Sequence, residues 1–296
     1  MIQDQIKEII ERRMTRDGLV ESGIAGVKLF RATCALPCVP AVYEPSVIAI
    51  TSGSKEAVLD GARYVYDAER YMCCPMSMPV TAGTPAASPE DPLFGVYIDL
   101  DPREMSALAV EMESAGGALP AAQGGAVQAI RLARWDAGFG TALLRLLQVL
   151  DDEADRAVLG PLRLREVYYA ILKGEAGGFA RQAFGAGNGI ARSIAHLSSQ
   201  VEAQVSVEDL ARRAGLSRAV FHRRFKQATR MSPIQFVKAM RLNRAAMSIA
   251  GGMSVSEAAM EVGYVSASQF SREFKRSYGQ SPRQWSEAQQ GLIAGL

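Results

Sequence analysis

An internal repeat near the C-terminal end constrains this chain more than any other feature. Residues 205–236, VSVEDLARRAGLSRAVFHRRFKQATRMSPIQF, align with residues 253–285, MSVSEAAMEVGYVSASQFSREFKRSYGQSPRQW, if one extra residue is allowed after the glycine of the second copy. Gly215 then matches Gly263, Phe221 matches Phe270, Phe225-Lys226 matches Phe274-Lys275, Ser232-Pro233 matches Ser281-Pro282, and Phe236 matches Trp285. Each copy reads as a short helix, a glycine-containing turn and a second amphipathic helix, which predicts helix-turn-helix units over about residues 207–229 and 255–278. In the first unit Val207, Leu210, Ala211 and Ala214 form one apolar face. Val220, Phe221 and Phe225 then turn inward, leaving His222, Arg223, Arg224 and Lys226 outward. The second unit buries Phe270 and Phe274 and presents Ser268, Gln269, Ser271, Arg272, Lys275 and Arg276. The intervening PIQFVKAMRLNRAAMSIA predicts a helix of about 18 residues, ~27 Å long. A rigid spacer of that length approaches the ~34 Å between successive major-groove segments on one face of DNA, and any shortfall requires the DNA to bend or one helix to engage less deeply.

Charge divides the chain in the same place. Residues 187–296 carry 15 Lys and Arg against 7 Asp and Glu, whereas residues 1–186 carry 18 against 24, so the overall net charge of +2 conceals a basic module that expects a polyanionic partner. GEAGGFARQAFGAGNG (174–189) reads as a linker between the two. Gly185-Ala-Gly187-Asn-Gly189 resembles a nucleotide loop only superficially, because no strong strand precedes it. With 48% hydrophobic residues, 22% charged residues and no apolar run near the ~18–20 needed to cross a bilayer, a soluble cytoplasmic protein without signal peptide or membrane span is expected.

The first half alternates short Val-, Ile- and aromatic-rich runs with turns. Ile2, Ile6, Ile9, Ile10 and Met14 lie at helical spacing. SVIAI, KEAVL, ARYVYD, RYMCC and LFGVYIDL predict strands of a compact β-barrel or sandwich over about residues 25–100, with Asp60-Gly61 as a two-residue hairpin turn. From Asp101-Pro102 the pattern turns helical through PREMSALAVEME. AGGALPAAQGGA (115–126) reads as a flexible joint. GTALLRLLQVLDD and GPLRLREVYYAILKG follow as two helices, with Pro161 expected in the first turn of the second and Gly174 at its end. Leu143, Leu144, Leu146, Leu147 and Leu150 offer more apolar surface than one stripe against the barrel needs, which predicts a homodimer surface.

The repeat resembles the DNA-binding domain of AraC/XylS-family transcriptional regulators, which pair two helix-turn-helix units across a connecting helix. The resemblance covers about residues 186–287 and is closest over GYVSASQFSREFKRSYGQSP. VYEPSVIAITSGSKEAVLDGARYVYDAERYMCCPMSMPV is more weakly similar to the N-terminal effector domain of one branch of that family. The resemblance implies an α+β protein: an N-terminal cupin-like effector-binding β-barrel (1–120), a helical dimerisation or linker region (121–185), and an all-α DNA-binding domain (186–296). It carries base contacts onto Ala219, His222 and Arg223 and onto Ser268, Gln269 and Arg272. Ala219 departs from relatives that place a larger side chain there, so hydrogen bonding at the first site rests on His222 and Arg223. Lys226, Lys275 and Arg276 suit backbone phosphates. The partners implied are double-stranded promoter DNA, a small-molecule effector, and RNA polymerase if the protein activates. No cofactor or metal is expected.

Several readings of the N-terminal half stay open. Cys34, Cys38, Cys73 and Cys74 form no Cys-x2-Cys metal spacing. They are buried hydrophobes or, alternatively, thiols of an electrophile or redox sensor. Arg12 and Arg16 match the first half of a cyclic-dinucleotide motif whose second half is missing. They are a solvated helix end or, alternatively, a clamp for an anionic nucleotide signal. A cupin-type metalloenzyme would need a histidine cluster, yet His196 and His222 are the only histidines and both lie beyond the barrel. A purely architectural DNA-binding role leaves the acidic barrel without purpose.

Overall fold

The computed structural model describes residues 2–115, 128–185, 188–203 and 205–294. Helix α1 (Ile2–Arg13) leads into strands β1 (Gly18–Glu21), β2 (Val27–Ala32), β3 (Leu36–Tyr43), β4 (Ser46–Ser52), β5 (Ser54–Leu59), β6 (Ala62–Asp67), β7 (Arg70–Cys74), β8 (Met78–Thr84) and β9 (Leu93–Asp99). Helix α2 (Pro102–Ser114) is followed by β10 (Arg131–Arg134), α3 (Ala137–Gln148), α4 (Glu153–Lys173) and α5 (Gly177–Phe184). The C-terminal part contains α6 (Gly189–Ser199), α7 (Val207–Arg213), α8 (Arg218–Thr229), α9 (Pro233–Ala250), α10 (Val255–Glu261), α11 (Ala267–Tyr278) and α12 (Pro282–Ala294). No helix among the described residues is long and apolar enough to cross a membrane.

The strands form two antiparallel sheets, ordered β1-β2-β9-β4-β7-β10 and β3-β8-β5-β6. The central strands β4, β7 and β9 of the larger sheet are buried on both faces, and their side chains divide with period two. On β4, Val47 and Ala49 join the core beneath α1 and α2–α5, whereas Ile48 and Ile50 enter the space between the sheets. On β7, Tyr71 and Cys73 take the helical side, and Met72 and Cys74 the inner side. This double burial is why these strands read in sequence as nearly continuous apolar runs. All five predicted strands are present. The β5–β6 hairpin turns at Asp60 and Gly61, both with positive φ (48° and 77°), the backbone that matches the twist of the paired strands.

The structure corrects the sequence reading in four places. Residues 131–134, assigned to a helical region, return as β10 and pair with β7, with Leu132 opposite Met72. Pro161 lies inside α4, because Asp152 caps that helix farther upstream by accepting from the Asp155 N–H at 2.8 Å. The proline is exposed there, so the carbonyl it leaves unpaired faces water. Half of the supposed linker is α5, which buries Phe179, Ala180, Ala183 and Phe184. The leucines proposed for dimerisation are consumed within the chain: Leu143, Leu146 and Leu147 of α3 and Leu150 in the turn after it are buried, and Leu144 packs against the same core. The joint expected at 115–126 lies outside the described residues apart from Ala115.

The spacer helix α9 is docked on the barrel. It packs against β3 and β8, where the Asn243 Nδ2 donates to the carbonyls of the cross-strand pair Ala41 and Val80, each at 2.7 Å. The Tyr278 hydroxyl, from α11, donates to the Asn243 Oδ1 at 2.7 Å. Arg244 pairs with Glu44 at 3.4 Å. Asn243 is 6% exposed, so its amide is satisfied by these protein partners in place of water. Asn243→Ala should therefore strand two carbonyls and a phenol, and is expected to lower unfolding free energy by about 2–4 kcal/mol in urea titration. A change below about 0.5 kcal/mol would show that the docking contributes nothing.

Candidate nucleic-acid interface

The two repeat copies fold alike because their caps and cores repeat. Ser206 and Ser254 cap the first helices, accepting from the N–H groups of Asp209 (3.0 Å) and Glu257 (3.2 Å). Ser217 and Ser266 cap the second helices, α8 and α11. Between them Gly215 (φ 69°) and Gly263 (φ 84°) supply the left-handed turn, and at Gly263 a Cβ would also meet the Glu202 carbonyl oxygen at 2.5 Å. Phe221 and Phe225 are fully buried with centroids 5.5 Å apart, and Phe225 meets Phe236 edge-on at 5.3 Å. Phe270 and Phe274 repeat the 5.5 Å pair, and the Trp285 Nε1 donates to the Ala246 carbonyl at 2.9 Å. The extra residue of the second copy, Val265, is looped out and fully exposed.

This packing turns the remaining faces of α8 and α11 outward. Ala219, His222, Arg223, Arg224 and Lys226 are exposed on α8, as are Ser268, Gln269, Arg272, Lys275 and Arg276 on α11, with Ser271 half-buried. Among the described residues none of Arg223, Lys226, Arg272, Lys275 and Arg276 has an ion-pair partner. These cations therefore retain full capacity for an anionic ligand. Arg218 differs, because the Glu208 carboxylate on α7 holds it at 2.6 Å.

One network was not visible in the sequence. The Gln269 Nε2 donates to Glu273 at 3.2 Å, and Glu273 also accepts from the Tyr264 hydroxyl (2.9 Å) and pairs with Lys238 on α9 (3.1 Å). Burial alone would raise the Glu273 pKa, but these donors outweigh it and hold the carboxyl below its ordinary value. Gln269 is thus tethered beside a cleft of about 540 Å³ between the two units, lined by Ile234, Lys238, Arg241, Val265, Gln269 and Glu273. The i, i+4 spacing of Gln269 and Glu273 is the one sequence signal that could have shown the tether.

The N-terminal candidates do not assemble into one site. Helix α1 ends at Arg13, leaving Arg12 paired with Asp151 at 3.5 Å and Arg16 on the bend beyond. Asn188, from the glycine-rich run, caps α6 by accepting from the Ala191 N–H at 3.0 Å. Ala186 and Gly187 lie outside the described residues. Cys34 is exposed and Cys38 half-buried, whereas Cys73 and Cys74 are buried on opposite faces of β7. Burial pushes the Cys73 thiol up to about 12 and raises Cys74 and Cys38 as well.

Two exposed, basic recognition helices held on one spacer helix, beside a double β-sheet domain, define a two-domain DNA-binding regulator. The comparisons agree. The family described as AraC-type transcriptional regulator N-terminus matches residues 23–179, and a helix-turn-helix domain matches residues 210–288. The chain belongs to the AraC-type transcriptional regulators. It is 34% identical over 99 residues to the HTH-type transcriptional regulator MtrA of Neisseria gonorrhoeae, covering 32% of this chain and 33% of MtrA. It is 35% identical over 104 residues to the HTH-type transcriptional activator RhaS of Escherichia fergusonii, covering 35% and 36%. Each match thus spans about a third of the relative. Over nearly the whole chain, the fold resembles ToxT of Vibrio cholerae solved with an unsaturated fatty acid bound: TM-score 0.58, 11% identity, 92% of this chain and 97% of ToxT.

The burial pattern predicts thiol reactivity. Because alkylation proceeds through the thiolate, iodoacetamide at pH 8 should modify Cys34 first and Cys38 more slowly, leaving Cys73 and Cys74 unmodified in the native protein. Peptide mass spectrometry will check this, and labelling of Cys73 or Cys74 at the rate of Cys34 would contradict it.

Proposed function

We propose that this protein reads two neighbouring major-groove segments of a promoter, one with α8 and one with α11, under control of a small molecule received by its β-domain. The observation that carries the DNA half is the pair of exposed faces on which Arg223 and Arg272 stand without ion-pair partners, opposite the aromatic cores. A guanidinium fork in that position suits guanine O6 and N7, with His222, Ser268 and the tethered Gln269 beside it and Ala219 offering only a methyl contact. Lys226, Lys275 and Arg276 lie farther along each helix and suit phosphates. The signal half is supported by likeness of fold to ToxT, whose bound ligands include an unsaturated fatty acid. A metalloenzyme reading has no comparable support, since the residues that precede His196 include no histidine. On this reading the protein works in the cytoplasm, and if it activates, RNA polymerase is a further partner.

We also propose a homodimer, on a surface other than the α3 leucines. Val158 and Leu162 stand one turn apart on α4, 67% and 61% exposed, with Pro161 between them and Tyr169 two turns beyond. The helical region 128–185 shares its core with the larger sheet, so the division proposed is between a unit ending near 185 and the DNA-binding unit from 188 onward.

Two measurements test these readings. Arg223→Ala or Arg272→Ala should cost about 1–3 kcal/mol on the cognate duplex and relax preference at one base pair. Lys226→Ala should weaken all duplexes alike and reduce the salt slope by roughly one unit. Equal losses on cognate and scrambled duplexes would make both arginines phosphate clamps. In light scattering at micromolar concentration the protein should be a dimer and Leu162→Glu a monomer. A monomeric wild type would refute the dimer.

A further inference from the structure

The carboxylate of Glu273 is held from three directions, and its two oxygens are divided between them. Oε2 accepts from the Tyr264 hydroxyl at 2.9 Å and pairs with the Lys238 ammonium at 3.1 Å, while Oε1 accepts from the Gln269 Nε2 at 3.2 Å. Tyr264 lies in the turn before α11 and is 8% exposed, and Lys238 comes from the spacer helix α9. The carboxylate is thus fixed by the turn and the spacer, and whatever binds its other oxygen takes its orientation from that scaffold as well as from its own helix. Burial opposes the charge, but the three donors outweigh it and keep Glu273 ionised at neutral pH.

The first unit has no equivalent. In the alignment of the two copies Glu273 falls on Arg224, Gln269 on Val220 and Tyr264 on Leu216. The glycine, the phenylalanine pair and the Ser-Pro step that build each unit are kept in both copies, whereas all three members of the network change together. The first recognition helix therefore folds without such a network, and folding alone does not account for it in the second. Its place is the exposed face of α11, where Gln269 follows Ser268 and precedes Arg272 by three residues.

We infer that Glu273 is a positioning residue for base readout, fixing the Gln269 amide in the orientation that selects adenine. An ionised carboxylate only accepts hydrogen bonds, so the amide must turn its nitrogen toward Glu273 and its oxygen away. One N–H is thereby committed, and one N–H and the carbonyl oxygen are left for DNA. A single donor with a single acceptor is the complement of adenine, whose major-groove edge offers N7 as acceptor and the N6 amine as donor. Guanine offers two acceptors, O6 and N7, and the amide cannot turn to supply a second donor without breaking its bond to Glu273. Its oxygen set against guanine O6 is a repulsive contact, so the same tether that favours adenine rejects guanine. Because it takes Gln269 as a base contact, this role deepens the proposed reading of α11 and rests on it.

The test measures binding of the full chain to its own promoter duplex by fluorescence anisotropy, with each of the four base pairs placed in turn at every position of the site. Gln269→Ala identifies the position that Gln269 reads as the one whose preference it removes, and the residue is exposed, so its truncation does not threaten the fold. There the wild type should bind adenine at least tenfold more tightly than guanine, and 7-deazaadenine, which lacks the N7 acceptor, should weaken it severalfold. Glu273→Gln, whose amide can present either end to Gln269, should lower the adenine-to-guanine ratio at least fivefold at that position and at no other. Glu273→Ala should do the same, so the outcome does not hang on the folding of one variant, which circular dichroism checks. In a Gln269→Ala background neither change should alter any ratio. A purely structural role would instead weaken all four duplexes equally and persist in that background, and this result, or a wild-type preference for guanine, would overturn the assignment. Retention of the ratio in both Glu273 variants, with Gln269→Ala still relaxing it, removes only the positioning role. If Gln269→Ala relaxes no position, the base contact falls and the positioning role with it, and if no duplex is preferred to scrambled DNA, the regulator reading itself fails.

Discussion

The rest of the structure hangs on the docking of α9. A helix that only spaced two DNA-reading units would expose its flank to water, but α9 lays that flank on β3 and β8 and fixes it with Asn243, which donates to both strands and accepts from Tyr278. A single buried amide thereby joins the barrel, the spacer and the second recognition helix. Polar groups in such a place are directional in a way that apolar packing is not, so the relative placement of the three elements is specified as well as stabilised. The apolar interior of the barrel is continuous with α6, α8 and the start of α9, which links the first recognition helix to the same core.

That arrangement gives the domains unequal tasks. The larger sheet is covered by α1 and α2–α5, and its helical side is an apolar core. The smaller sheet is the thinner layer and the one that α9 touches.

Local chemistry was legible in the sequence and long-range pairing was not. The repeat announced both helix-turn-helix units because its glycines, serine caps and phenylalanines each act within a few residues, and Asp60-Gly61 announced its hairpin for the same reason. Strand β3 was hidden by Pro37 and Pro40, which an edge strand tolerates and a central one does not. Strand β10 is four residues whose partner lies some sixty residues earlier, so nothing local marks it. The α3 leucines looked surplus because the sheet they cover could not be assembled from sequence alone. Asn243 was missed on the same ground: a polar residue in an apolar pattern acquires meaning only when the strand opposite is known.

The central claim is that one chain presents two recognition helices on a spacer fixed in length by its own barrel. Hydroxyl-radical footprinting of the full-length protein on its own promoter tests it most directly. The account predicts two protected tracts about one helical turn, ~34 Å, apart on one face of the duplex. A single tract, or uniform protection without periodicity, would contradict it.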